Sequence, residues 1–205
     1  MKTLLQLNAS LFSSGGQSTQ LANQFVALWH TQHPDAVVTV RDLAAQPLAH
    51  LDAERVMAFF AQADTRTAEQ QVLVAQSDAL IAELQQADVL VLGLPMYNFG
   101  IPSTLKAYFD YIARAGVTFR YTEKGAEGLL ANKKVIIFAT RGGLYAGTAL
   151  DTQTSYVQSF LNFLGISDIE FVYAEGLNMG EDSKQNALKQ AQARLAELVT
   201  QVTQR

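Results

Sequence analysis

Residues 89–102 read Val89-Leu90-Val91-Leu92-Gly93-Leu94-Pro95-Met96-Tyr97-Asn98-Phe99-Gly100-Ile101-Pro102. The stretch from Val89 to Leu94 is almost continuously apolar, without the alternation of a strand that keeps one face wet. That pattern suits a strand covered on both faces, the usual condition of a parallel sheet. Four further β-rich runs are spaced along the chain, at Thr3–Leu7, Val37–Val40, Val135–Thr140 and Ile169–Tyr173. Those at Thr3 and Val135 share the near-continuous apolar character.

The stretches between them carry helical period. Leu21, Phe25, Leu28 and Trp29 form one stripe, and Leu105, Tyr108, Phe109 and Ile112 a second. Val157, Phe160, Leu161 and Leu164 form a third, and Leu188, Ala191, Leu195, Leu198 and Val202 a fourth. Two more helical pieces are expected at about Asp52–Ala61 and Ala68–Ala87. Five strands alternating with helices predict a parallel sheet with right-handed crossovers, wound on both faces. The pattern alone leaves the strand order open between Rossmann and flavodoxin-like. No repeat or linker divides residues 1–205, so a single domain is expected.

Composition narrows the function classes. The chain has 205 residues, with 15 Lys+Arg and 19 Asp+Glu for a formal net charge of −4. A mildly acidic chain without basic runs is a poor match for nucleic acid. With no cysteine, disulfides, thiolate metal sites and cysteine nucleophiles are excluded. The apolar run from Val89 to Met96 is far short of the ~20 residues that span a bilayer. The N-terminus turns polar too soon for a signal peptide, so a cytoplasmic location away from the membrane is expected. Hydrophobic residues make up 49% and charged residues 17%, against roughly 25% charged in ordinary soluble domains. That surplus of apolar side chains suggests burial against a partner.

In sheets of this kind, ligands bind outside the carboxyl ends of the strands, where strand order reverses. The loop after the first strand, Asn8 to Ser18, offers hydroxyls, two glycines and free N–H groups at a helix start. Those groups suit a single phosphate, although a solvated Ser/Gly loop would read the same way. Neither a P-loop nor a dinucleotide fingerprint is present. The loop Pro95–Pro102 combines Met96, Tyr97, Phe99 and Ile101 with two prolines and the amide of Asn98. Stiff, apolar and carrying backbone N–H groups, it suits a flat heteroaromatic ring. The competing reading is a plug at the edge of the core. The loop Thr140-Arg141-Gly142-Gly143-Leu144-Tyr145 lets backbone approach a ligand closely. One phosphate cradle and one ring-shaped slot at the same sheet edge fit a flavin mononucleotide, FMN.

Three runs extend this reading. They are Pro95-Met96-Tyr97-Asn98-Phe99, Leu105-Lys106 with Tyr108-Phe109-Asp110, and Ala113-Arg114-Ala115-Gly116-Val117-Thr118-Phe119-Arg120-Tyr121-Thr122-Glu123. Together with Val40-Arg41-Asp42-Leu43-Ala44 and the Arg141-Gly142-Gly143 turn, they closely resemble the FMN-dependent NADH-azoreductases. These are flavodoxin-like NAD(P)H:quinone oxidoreductases, and the resemblance covers nearly the whole chain. It implies a flavodoxin-like five-stranded sheet and tight, non-covalent FMN. It also implies ping-pong hydride transfer from NADH to quinones, or to azo compounds that are cleaved reductively to amines.

The resemblance implies that Ser10, Gln17 and Ser18 bind the FMN phosphate, with backbone at Gly16 assisting. Pro95, Met96, Tyr97, Asn98 and Phe99 would line the ring, and Thr140, Arg141, Gly142 and Gly143 would close its other edge. Gly16 stands where related sequences often carry a hydroxyl residue, and Thr140 where serine is common. No side chain is expected to be catalytic in the acid–base sense, and no metal is expected. The chain is expected to form a homodimer, with Tyr121 and Phe163 walling the partner's flavin and Tyr145 near the substrate. Residues 116–133 would form an extended arm. His30, His33 and His50 are read as surface residues, and Asp110 and Glu123 as structural. The rival functions are a flavodoxin-type electron carrier without its own substrate, and a regulatory or hydrolytic protein on the same fold.

Overall fold

A computed structural model describes residues 2–203. All five expected strands form: β1 (Thr3–Asn8), β2 (Val37–Asp42), β3 (Val89–Pro95), β6 (Lys134–Thr140) and β7 (Asp168–Ala174). They make one parallel sheet in the order β2-β1-β3-β6-β7. This is the flavodoxin-like order, and it settles what the hydrophobic pattern left open. The chain leaves β1 toward β2 on one side and later fills β3, β6 and β7 on the other. The order therefore reverses beside β1 and β3.

Six helices cover the sheet: α1 (Gln17–Gln32), α2 (Ala53–Phe60), α3 (Ala68–Gln86), α4 (Ser103–Ile112), α5 (Thr152–Phe163) and α6 (Glu181–Thr203). None of them is long and apolar enough to cross a membrane. The alternation of side chains along each strand divides the core in two. Leu4, Val91 and Phe138 face α1 and α6, meeting Phe25, Trp29, Leu195 and Leu198. Leu5, Leu7, Leu92 and Ile137 face the other way, onto Tyr108, Leu161 and Ile81 from α4, α5 and α3. Each fully buried side chain of this size contributes roughly 1.5–3 kcal/mol. Gln6 is a buried polar residue in the middle of β1, and its amide donates to Asn8 Oδ1 at 2.9 Å and Asn23 Oδ1 at 2.6 Å.

Two details of packing place the site. The register sets Pro95 beside Thr140, and Met96 N–H donates to Thr140 C=O at 2.9 Å. The second and third loops therefore leave the sheet side by side. A Cβ on Gly93 would lie 3.1 Å from the Ser18 carbonyl group, so glycine in β3 lets the first turn of α1 settle on the sheet.

Residues 116–133 are more ordered than an extended arm. Phe119–Thr122 (β4) and Gly125–Gly128 (β5) pair as an antiparallel hairpin, with Arg120 Nε donating to Glu127 Oε2 at 2.8 Å. The hairpin is tied to the end of α5, where Leu130 N–H, just past β5, donates to Leu164 C=O at 2.9 Å.

Candidate functional site

The loop after β1 is a cradle with open donors. Helix α1 begins at Gln17 with Gly16 as its N-cap, and no side chain caps it. Its first N–H groups therefore have no acceptor within the helix. Beneath them lie the hydroxyls of Ser18 and Thr19, both buried and both without a hydrogen-bond partner. Buried polar atoms are nearly always paired, and of the two only Ser18 lines the cavity described below, so its hydroxyl marks a place for a ligand rich in acceptors. Ser10 Oγ accepts from Phe12 N–H at 3.2 Å, which folds the loop over the helix start. A Cβ on Gly16 would come within 2.1 Å of Ser10 Oγ. With Ser10 so placed, a hydroxyl residue at 16 would fill the cradle.

The loop after β3 is held under strain. Tyr97 and Gly100 exchange backbone hydrogen bonds at 3.1 and 3.0 Å. The two residues between them, Asn98 at φ 50° and Phe99 at φ 63°, are both left-handed. Asparagine tolerates that conformation, whereas phenylalanine seldom adopts it. Such strain persists only where surroundings over-determine it. Here the buried Gln153 amide donates to the carbonyls of Pro95 at 2.9 Å and Gly100 at 3.0 Å, and Thr152 Oγ1 donates to Phe99 C=O. The Tyr97 hydroxyl accepts from Leu11 N–H at 3.3 Å, joining this loop to the first. The outcome is a rigid loop that presents an exposed Phe99 ring.

The third loop is organised from behind by Arg141, whose side chain is fully buried. Its guanidinium donates to Glu175 Oε1 at 3.1 Å, Asp151 Oδ1 at 2.8 Å and Thr154 Oγ1 at 2.8 Å, and it lies over the Tyr173 ring. Burial pushes the Asp151 carboxyl up, but hydrogen bonds from Arg141 and Thr154 outweigh it and hold the group below its usual range. Glu175 Oε1 also accepts from the N–H groups of Tyr145 and Ala146, each at 2.9 Å. The loop 142–146 is thereby pinned, and the Tyr145 ring meets Phe99 edge-on at 5.4 Å.

Most of the expected site residues meet in one cavity of about 320 Å³. Ser10, Gly16, Gln17 and Ser18 form one end of the set, with Pro95, Met96, Tyr97, Thr140, Arg141 and Gly142 completing it. Asn98, Phe99 and Gly143 lie at its margin and do not line it. Phe99 instead opens onto a second, more apolar cleft of about 480 Å³, with Ile101, Tyr156 and His50. His50 thus stands near the site although its place in the sequence gives no sign of it. Tyr121 and Phe163 lie elsewhere. Both rings gather on Phe119, with centroids at 5.5 and 4.4 Å, and Tyr121 is 76% exposed. Sequence reasoning missed Phe12, Leu177, Asn178 and Lys184, which also line the first cavity. Three of these follow β7, a strand whose far end gave no motif.

Comparison with known proteins agrees with the fold. The model of the Flavodoxin_2 family, described as flavodoxin-like fold, matches residues 1–199. A protein of Cellvibrio japonicus named FMN-dependent NADH:quinone oxidoreductase is 61% identical over 181 residues, covering 88% of this chain and 91% of its own. The crystal structure of an azoreductase from Bacillus anthracis superposes with a TM-score of 0.90 at 28% identity, covering 98% of this chain and all of the other. A second Bacillus anthracis structure, of an FMN-dependent NADH-azoreductase in complex with FMN, has a TM-score of 0.86 at 26% identity. It covers 97% of this chain and 100% of that one.

Proposed function

The chain belongs to the Flavodoxin_2 family of flavodoxin-like fold, and from that premise we infer that it is an FMN-dependent NADH:quinone oxidoreductase with azoreductase activity. The observation that carries this reading is the cradle at the start of α1. Its uncapped N–H groups and the unpaired, buried hydroxyl of Ser18 share one cavity with Pro95, Met96 and Tyr97, the first residues of the rigid loop after β3. These are the groups that a phosphate and a flat ring require at opposite ends of one ligand.

In this reading Ser10, Gln17, Ser18 and the α1 N–H groups hold the phosphate. Pro95, Met96, Tyr97, Asn98 and Phe99 lie along the ring, and Thr140, Arg141, Gly142 and Gly143 close its other edge. FMN held by these residues would supply two-electron hydride chemistry between NADH and the acceptor. The chain's own part is to position, and two fixtures do it. Gln153 and Thr152 hold the strained turn that carries Phe99. Glu175 holds the loop that brings Tyr145 against Phe99. The apolar cleft beside Phe99 gives a quinone or azo compound a place to lie. A protein that only relays electrons to a docked partner has no need of one.

The same reading includes a homodimer. The hairpin that carries Tyr121 is tied to the C-terminal end of α5, and the N-terminal end of α5 meets the loop after β3, so the hairpin lies at the pole opposite the cavity. A two-fold axis perpendicular to the strands reverses the poles, so each subunit's hairpin would reach the other's site. Tyr121 and Phe163, gathered on Phe119, would then wall the partner's flavin. Exposed Met57 and Phe60 on α2, at 63% and 69%, add apolar surface that one chain leaves uncovered.

Steady-state rates at several fixed NADH concentrations test the shared site. Double-reciprocal plots against quinone should be parallel, because NAD leaves the pocket before quinone enters. Intersecting lines would refute a site used in turn.

A further inference from the structure

The cavity at the carboxyl edge has an uneven charge lining. No Asp or Glu lines it, and its two cationic residues are Arg141 and Lys184. Arg141 brings no spare charge, since its buried guanidinium is matched by Asp151 and Glu175. Lys184 takes part in none of the ion pairs among the described residues, and it is half-buried. Its place along the cavity follows from helix register. Helices α1 and α6 run in the same direction on one face of the sheet, and Gln192 Nε2 donates to Gln24 Oε1 at 3.2 Å between them. Two turns toward the N-terminus from that bond lie Gln17 on α1 and Lys184 on α6. Lys184 therefore lies level with the uncapped first turn of α1, and it lines the same cavity as Ser18, whose Oγ lacks a partner.

A phosphate monoester carries between about one and a half and two negative charges at neutral pH. Neutral N–H and hydroxyl donors satisfy its hydrogen bonds but leave that charge uncompensated in a partly desolvated cavity. We propose that Lys184 is the counter-charge of the flavin phosphate, so that the chain distinguishes FMN from the unphosphorylated flavin by one cation on α6. The proposal rests on the FMN reading above. Glu181 and Asp182, the acidic residues of the first turn of α6, do not line the cavity and leave this charge in place.

Flavin binding by the full-length protein, stripped of flavin and titrated with FMN or with riboflavin, tests the proposal through flavin fluorescence. Lys184→Met should weaken FMN about tenfold to hundredfold, the range for a charge-assisted hydrogen bond, and change riboflavin by less than twofold. Lys184→Arg should bind FMN nearly as the wild type does. Added salt should weaken FMN binding to the wild type more steeply than to Lys184→Met. Unchanged FMN affinity in Lys184→Met, with a wild type that binds FMN, would overturn the role of Lys184 alone. An equal loss of riboflavin would overturn it too, by showing that Lys184 acts on the fold. A wild type that binds neither flavin would instead overturn the cofactor reading, and the assignment of Lys184 with it.

Discussion

Replacing Arg141 with methionine keeps an unbranched stem but removes the guanidinium group and its charge. In the native protein the guanidinium is fully buried and meets two carboxylates and one hydroxyl at 2.8–3.1 Å. The substitution leaves Asp151 and Glu175 without their cation, and breaking one side of a buried ion pair costs about 3–5 kcal/mol. In a chain of this size each kcal/mol moves the melting temperature by roughly 2–4 °C. Arg141→Met should therefore melt about 10 °C lower. The pH dependence gives a second reading of the same cause. In the wild type the Asp151 carboxyl is held below its usual value. Its contribution is thus fully present above about pH 4, the unfolded value, and is lost only as pH falls through the lower folded value. In the variant the Arg141 hydrogen bond and charge are gone and only the Thr154 hydrogen bonds oppose burial, so the carboxyl is raised relative to the wild type and protonation relieves part of the defect. The gap in melting temperature between wild type and variant should narrow from pH 7 to pH 5. Scanning calorimetry at both values measures it. A variant that melts within 3 °C of the wild type at pH 7, or a gap that widens toward pH 5, would refute the reasoning.

Further outcomes follow from the same structure. Ser18→Asp should place a carboxylate under the α1 cradle and weaken FMN binding at least tenfold, whereas His30→Ala, far from the site, should leave it unchanged; flavin titration measures both. Phe163→Ala should raise the quinone KM more than it weakens FMN binding if the partner's ring walls the pocket, and sedimentation at micromolar protein should give twice the chain mass; a fully active monomer would contradict the shared wall.

The sheet was legible because its three central strands are apolar on both faces, a pattern that Val89–Leu94 shows most plainly. The edge strand β2 was the weaker signal, since Val37 and Val40 are about half exposed. The three ligand loops followed from topology once strand carboxyl ends were taken as the place to look. What sequence could not reveal depends on contacts between distant residues. The hairpin β4–β5 has only four residues in each strand, and those strands include Gly125, Gly128 and two charges, Arg120 and Glu127. It is set by its fit to the turn at Leu164–Gly165, where a Cβ on Gly128 would lie 1.9 Å from Gly165 N. The left-handed backbone of Phe99 is likewise unreadable in the Asn-Phe-Gly run, because the residues that hold it, Thr152 and Gln153, lie on α5. Lys184 sits in an ordinary-looking helix start, and only the pairing of α1 with α6 brings it to the cradle.

The account stands on the claim that one FMN occupies the cavity between α1, the loop after β3 and the Thr140–Gly143 turn. The flavin content of the purified protein measures this directly, from its visible spectrum and from the cofactor released on denaturation. A yellow protein that releases one FMN per chain, unattached to the polypeptide, is the predicted result. A colourless protein that takes up no FMN when incubated with an excess would contradict it.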